Sequence, residues 1–321
     1  MASDITPNAS STPGPAARHP FLVGPGGLRA GWRILMFCGI ALGLEFAVYT
    51  VVGIAATVSP SVRDWTLAVQ ASTSSGILSA IDLIVNEGIV ALAVVVAAAI
   101  MTLIEKRTFA DYRLPLNQAF GKRFWQGVPL GFAMLSLLLA AIWALHGFSL
   151  AGLAETRAPA LKYGLLWAIA FFLVGVFEDF TFRGYLQSAL GDGIGFWPAA
   201  IILALVFGAI HWNNKGEALF GCVMAGSFGF LEAFALQRTG SLWLLIGMHA
   251  SWDWGETYFY GTPDSGAIGV GHLFNSSFHG ARWLTGGTVG PEGSLLVYVV
   301  LLIWALAIHL LFPAKPAPIS T

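Results

Sequence analysis

Glu178 and Asp179 stand side by side in FFLVGVFEDFTFRGYL, residues 171 to 186, and Arg183 follows within the same stretch. The residues before them, Phe171 to Phe177, are apolar. Ionisable side chains inside a helix of hydrocarbon length are costly, so a functional site is the default reading of such a cluster. Two further apolar runs carry polar groups at helical spacing. VFGAIHWNN puts Phe207 and His211 on one helical face, and LLIGMHASWDW puts His249 and Asp253 one turn apart. Histidines and carboxylates converging in a bundle core suit either metal binding or activation of a water. A lone histidine on an apolar helix is more often a satisfied core residue, but three such spans together favour function.

The elements that must position these groups are membrane helices. The 321 residues are 56% hydrophobic and only 10% charged, against roughly 25% charged in ordinary globular proteins. Mean hydropathy is +0.74. This composition predicts an all-α, polytopic integral membrane bundle of about eight transmembrane helices. The expected spans are 32–58, 76–104, 124–145, 161–190, 199–212, 218–236, 242–260 and 295–312. The fourth is broken by GDGIGFWP, and if it runs that far Glu178 lies near mid-bilayer.

Residues 1–30, rich in Pro, Ser, Gly and Ala, read as a disordered tail ahead of a bundle at 31–313. Basic residues concentrate in the loop 105–123 (Lys106, Arg107, Arg113, Lys122, Arg123). The positive-inside rule therefore predicts both termini in the cytoplasm. The Gly- and Ser-rich stretch 261–293 is the one connection large enough to act as an outer cap. A formal net charge of −1 argues against nucleic acid as a partner. Cys38 and Cys222 lie in apolar runs and read as buried free thiols. Glu45 and Glu87 fall inside spans, pairing with each other or facing a water cavity, whereas Asp82 and Glu232 lie nearer span ends. Glu232 is placed to meet Arg238 there.

Taken in order, EDFTFR, FGAIH and HASWD resemble the E-E/D-x-x-x-R, F-x-x-x-H and H-x-x-x-N/D motifs of the CPBP intramembrane proteases, which include CAAX prenyl endopeptidases and bacteriocin-processing or immunity proteins. The resemblance covers residues 161–262 as the catalytic core. It implies an eight-helix bundle with a cavity open to the cytoplasm, in the plasma membrane of a bacterium. It also implies an intramembrane endopeptidase acting on a membrane-associated peptide or protein, prenylated in part of the family. Glu178 would then be the base that activates water, with His211 helping to hold it. His249 and the residue at 253 would stabilise the oxyanion, with Asp179 and Arg183 in support. Position 253 is Asp where the prenyl proteases have Asn, and an ionised Asp cannot donate a hydrogen bond. Glu178, His211 and His249 suit an open three-ligand zinc site and equally suit a metal-free glutamate mechanism. The rival readings are a non-catalytic scaffold or immunity protein of the same fold, and a proton-coupled carrier using Glu45, Glu87 and Glu178.

Overall fold

The computed structural model describes residues 23–24, 27–213 and 219–313. The expected tail at 1–30 therefore falls mostly outside the described residues. Within it, β1 (Val23–Gly24) pairs antiparallel with β2 (Gly27–Leu28), directly before the first helix.

Long apolar stretches give the membrane helices. They are α1 (Ala30–Val58), α3 (Ala80–Glu105), α4 (Lys122–Ala144), the continuous rod Arg157–Ile194, and α8 (Leu219–Thr239), all long and apolar enough to cross a bilayer. Three shorter helices pack with them: α7 (Phe196–Ile210), α9 (Leu242–Trp254) and α11 (Leu296–Leu311). The fold is an all-α membrane bundle. The short α2 (Pro60–Ser75) was not among the expected spans because its 16 residues are too few and too polar, with Arg63 and Asp64 near its start, and none of them is buried. Ser59 caps it, accepting from the Val62 N–H at 3.5 Å, with Pro60 at the first helical position.

The rod Arg157–Ile194 is α5 (Arg157–Asp179), a π-helical turn (Phe180–Leu186) and α6 (Gln187–Ile194). The fourth span thus continues through the motif, as expected, and stops where Gly195 adopts φ 91°. A second π-helical turn, Gly255–Tyr260, extends α9 just after Asp253. Such turns widen the helix locally and recur at functional sites.

Helix α9 is the axis of the bundle, with every residue from Leu242 to Asp253 buried. It lies against α4 at backbone distance. A Cβ on Gly131 would strike the Met248 carbonyl, so only glycine permits the approach that holds the neighbouring His249 in place.

The two ends of the bundle differ. At the basic end, Arg33 of α1 pairs with Glu105 of α3 (2.7 Å) and Asp192 of α6 (2.7 Å), and the Tyr185 hydroxyl donates to Glu105. The Leu242 N–H donates to the Arg113 carbonyl there, and Arg238 donates to the Phe312 carbonyl. At the other end the loop 261–293 is stitched down by short sheets. β3 (Ile77–Leu78) runs parallel to β5 (Ile268–Gly269), and β4 (Phe148–Leu153) antiparallel to β6 (Phe274–Phe278). The same loop carries the single-turn α10 (Arg282–Thr285). The Ser294 hydroxyl accepts from the Leu296 N–H at 3.2 Å where α11 begins.

Candidate active site

A cavity of about 380 Å³ lies at the loop end, between α3 and α5 on one side and α7 and α8 on the other. Glu178, His211, His249 and Asp253 all line it. The loop 261–293 contributes Asp264, Ser265 and Glu292 to its wall. The basic loop 105–123 is at the opposite end of the bundle.

His249 is the hub. Its Nε2 lies 3.9 Å from Glu178 Oε2 and 3.5 Å from Asp253 Oδ2, while its Nδ1 lies 3.5 Å from Asp179 Oδ2. Each ring nitrogen thus faces carboxylate oxygen, an arrangement that favours N–H on both. The neighbours Glu178 and Asp179 divide the work because consecutive helical residues point about 100° apart. Glu178 is part-exposed to the cavity, whereas Asp179 is fully buried behind it.

Arg183, one turn after Asp179, lies 3.7 Å from Asp179 Oδ1 and 2.7 Å from Glu232 Oε2. Its guanidinium stacks on the Phe207 ring at 4.0 Å. Glu232 is the correction to the sequence reading: it neither snorkels nor meets Arg238 but is fully buried as Arg183's partner. Arg238 is taken up by the carbonyls of His309 and Phe312. Gly229 makes the room, since a Cβ there would come within 2.6 Å of Arg183 Nη2.

His211 sits where α7 ends, its Nδ1 2.7 Å from the Phe207 carbonyl. A carbonyl only accepts, so Nδ1 carries a proton, and Nε2 is the other nitrogen of a ring that lines the cavity. The expected zinc trio does not converge. Zinc needs ligand atoms about 2.0–2.2 Å from one centre. Among the described residues, the groups with ligand atoms within 4.8 Å of one another are Asp179–Glu232–His249 and Asp253–Glu256–Asp264, and neither contains His211 or Glu178. The first already holds the Arg183 cation between its two carboxylates. The residues present do not fit a zinc centre at Glu178, His211 and His249.

Of the two readings for Glu87, the cavity one holds: it reaches the cavity from α3, and a hydrogen-bonded chain links it through Asn86 to Tyr49 of α1. Two further groups have no counterpart in the sequence reading. Asp264 and Glu292 arrive from a Gly-rich loop whose pattern carries no site signal. Burial and the nearby Glu292 carboxylate push Asp264 up to about 8, against a hydrogen bond from Thr257 that lowers it. Burial also raises Glu292, opposed by His211 across the cavity and by the Ser265 N–H and hydroxyl. A titratable pair that far apart in sequence is visible only once the loop is folded down.

Residues 159–255 match the family model described as Type II CAAX prenyl endopeptidase Rce1-like. This segment is similar to an Rce1-like domain. It spans Glu178, Asp179, Arg183, His211, Glu232, His249 and Asp253, while Glu87, Asp264 and Glu292 lie outside it. The chain is 26% identical over 198 residues to "Uncharacterized protein YyaK" of Bacillus subtilis (strain 168), covering 57% of this chain and 63% of the relative. It is also 26% identical over 136 residues to "Putative membrane peptidase YdiL" of the same organism, covering 36% of this chain and 54% of that relative. The chain thus matches less than two thirds of the length of either relative. No solved structure matches it.

Proposed function

We propose that the chain is an intramembrane endopeptidase in which the Glu178 carboxylate activates a water for attack on a peptide carbonyl. The observation that carries this reading is the pairing of cavity-facing Glu178 with His249 at 3.9 Å, with His211 on the same cavity. A water in that cavity would give one proton to Glu178 while hydrogen-bonding to His211 Nε2. The hydroxide would add to the scissile carbonyl, and the oxyanion would face the N–H of His249. Glu178 would then pass its proton to the leaving amine. Asp179 and Asp253 hold the His249 ring, so Asp253 serves as an orienting acceptor rather than an oxyanion donor. Arg183 and Glu232 balance the buried charge behind Asp179. The mechanism needs no metal at Glu178.

The substrate class that fits a cavity walled by membrane helices is a membrane-associated peptide or protein. A matched pair of membrane-tethered peptides, one prenylated and one acylated, tests the choice. Cleavage of the prenylated peptide alone supports a CAAX-type substrate, and equal cleavage of both contradicts that narrower reading. We further propose that the basic end, with Lys106, Arg107, Arg113, Lys122 and Arg123, is cytoplasmic. The cavity would then open away from the cytoplasm, in the plasma membrane of a bacterium.

A further inference from the structure

Asp253, Glu256 and Asp264 each bring a carboxylate oxygen to within 4.8 Å of the other two. They come from the last turn of α9, the π-helical turn that follows it, and the loop beyond. Protein donors fix two of these carboxylates by one oxygen each. The Trp252 indole N–H donates to Glu256 Oε2 at 2.8 Å, and the Thr257 hydroxyl donates to Asp264 Oδ2 at 3.1 Å. Glu256 is wholly buried, and its Oε1 has no hydrogen-bond partner. Among the described residues, the ion pairs of this trio are limited to His249 with Asp253, and no lysine or arginine joins them. Carboxylates this close repel one another inside a protein unless they hold protons or a cation. Asp253 and Asp264 line the cavity, which gives an ion a route in.

We infer that Asp253, Glu256 and Asp264 form a binding site for a hard divalent cation of the calcium type, tying the loop 261–293 to the end of α9. All-oxygen donors at this spacing suit calcium, which accepts flexible carboxylate coordination at 2.3–2.6 Å, and offer no nitrogen or sulfur for zinc. Trp252 and Thr257 are the outer partners that aim the ligands. The ion would close the loop over the cavity, and because Asp253 also holds the His249 ring, its binding is read from stability and luminescence rather than from peptide cleavage.

The test is calcium binding to the full chain, purified in detergent and stripped with chelator. Thermal unfolding is followed against calcium chloride, with sodium chloride at matched ionic strength as the control. A saturable rise in melting temperature with calcium alone is expected, with affinity weakened at least about tenfold in Glu256→Gln and in Asp264→Asn. No saturable calcium effect on the wild type, or equal affinity in both variants, would overturn the site. Terbium luminescence gives a second readout that does not depend on those variants folding. Bound terbium should be sensitised by Trp252, displaced by calcium and dimmed by Trp252→Phe. Luminescence that is absent, or unchanged in Trp252→Phe, counts against the site.

Discussion

Glu178 and Asp179 are adjacent carboxylates with opposite environments, and their variants should separate accordingly. Glu178 opens onto the cavity, whereas Asp179, Arg183 and Glu232 form a buried charge triad. Removing one member of such a triad leaves an uncompensated charge. Glu232→Ala should therefore cost about 3–5 kcal/mol, read as a fall in melting temperature in detergent, while Glu178→Gln should unfold near wild type. Equal melting temperatures for the two variants would remove the triad's structural role. Gly229→Ala probes the same triad from outside, because its Cβ would crowd Arg183. Overpacking of this kind costs about 1–3 kcal/mol, so the same unfolding assay should show a smaller fall. Most of this was legible in the sequence, because charges inside an apolar helix are conspicuous: Glu178, Asp179, Arg183, His211, His249 and Asp253 all reach the site region. Glu232 was misread because its position near a span end suggested solvent. Only packing of α8 on the π-helical turn shows that it points inward.

The helices place these groups by features that sequence periodicity does not carry. The π-helical turns Phe180–Leu186 and Gly255–Tyr260 each begin just after a site residue. An ideal 3.6-residue repeat would rotate the following side chains differently, so the partners of Arg183 and Glu256 could not be deduced from spacing. Close approach of α4 and α9 is equally hidden, since it rests on what is missing at Gly131. Gly131→Ala should force α4 away from the Met248 carbonyl and lower stability by about 1–3 kcal/mol. Because His249 is the next residue, peptide cleavage should fall by more than the loss of folded protein explains. Cleavage that tracks folded protein alone would show that the α4–α9 spacing does not set the His249 position.

At the scale of the whole molecule, the all-α membrane bundle was legible because about 20 apolar residues are needed per crossing, though five of the eight expected spans are helices long and apolar enough to cross among the described residues. The loop 261–293 was legible only as a cap. Its strand pairings with Ile77–Leu78 and Phe148–Leu153, and its delivery of Asp264 and Glu292 to the cavity, depend on contacts between distant segments. The bundle also sets the cavity and the basic loop at opposite ends, which makes orientation testable. With Cys38 and Cys222 replaced by serine, Ser276→Cys in β6 should react with an impermeant maleimide on intact cells. Asn117→Cys in the basic loop should react only after lysis. The reverse pattern would place the cavity on the cytoplasmic side and refute the proposed orientation, leaving the chemistry intact.

The most direct measurement of that chemistry is single-turnover cleavage of a membrane-tethered peptide by purified wild type and Glu178→Gln, with melting temperatures taken on the same samples. The expected result is a rate lower by about 10²–10⁴-fold in the variant, the usual contribution of a positioned general base, at an unchanged melting temperature. Cleavage by Glu178→Gln at the wild-type rate would contradict the assignment of Glu178 as the group that activates water.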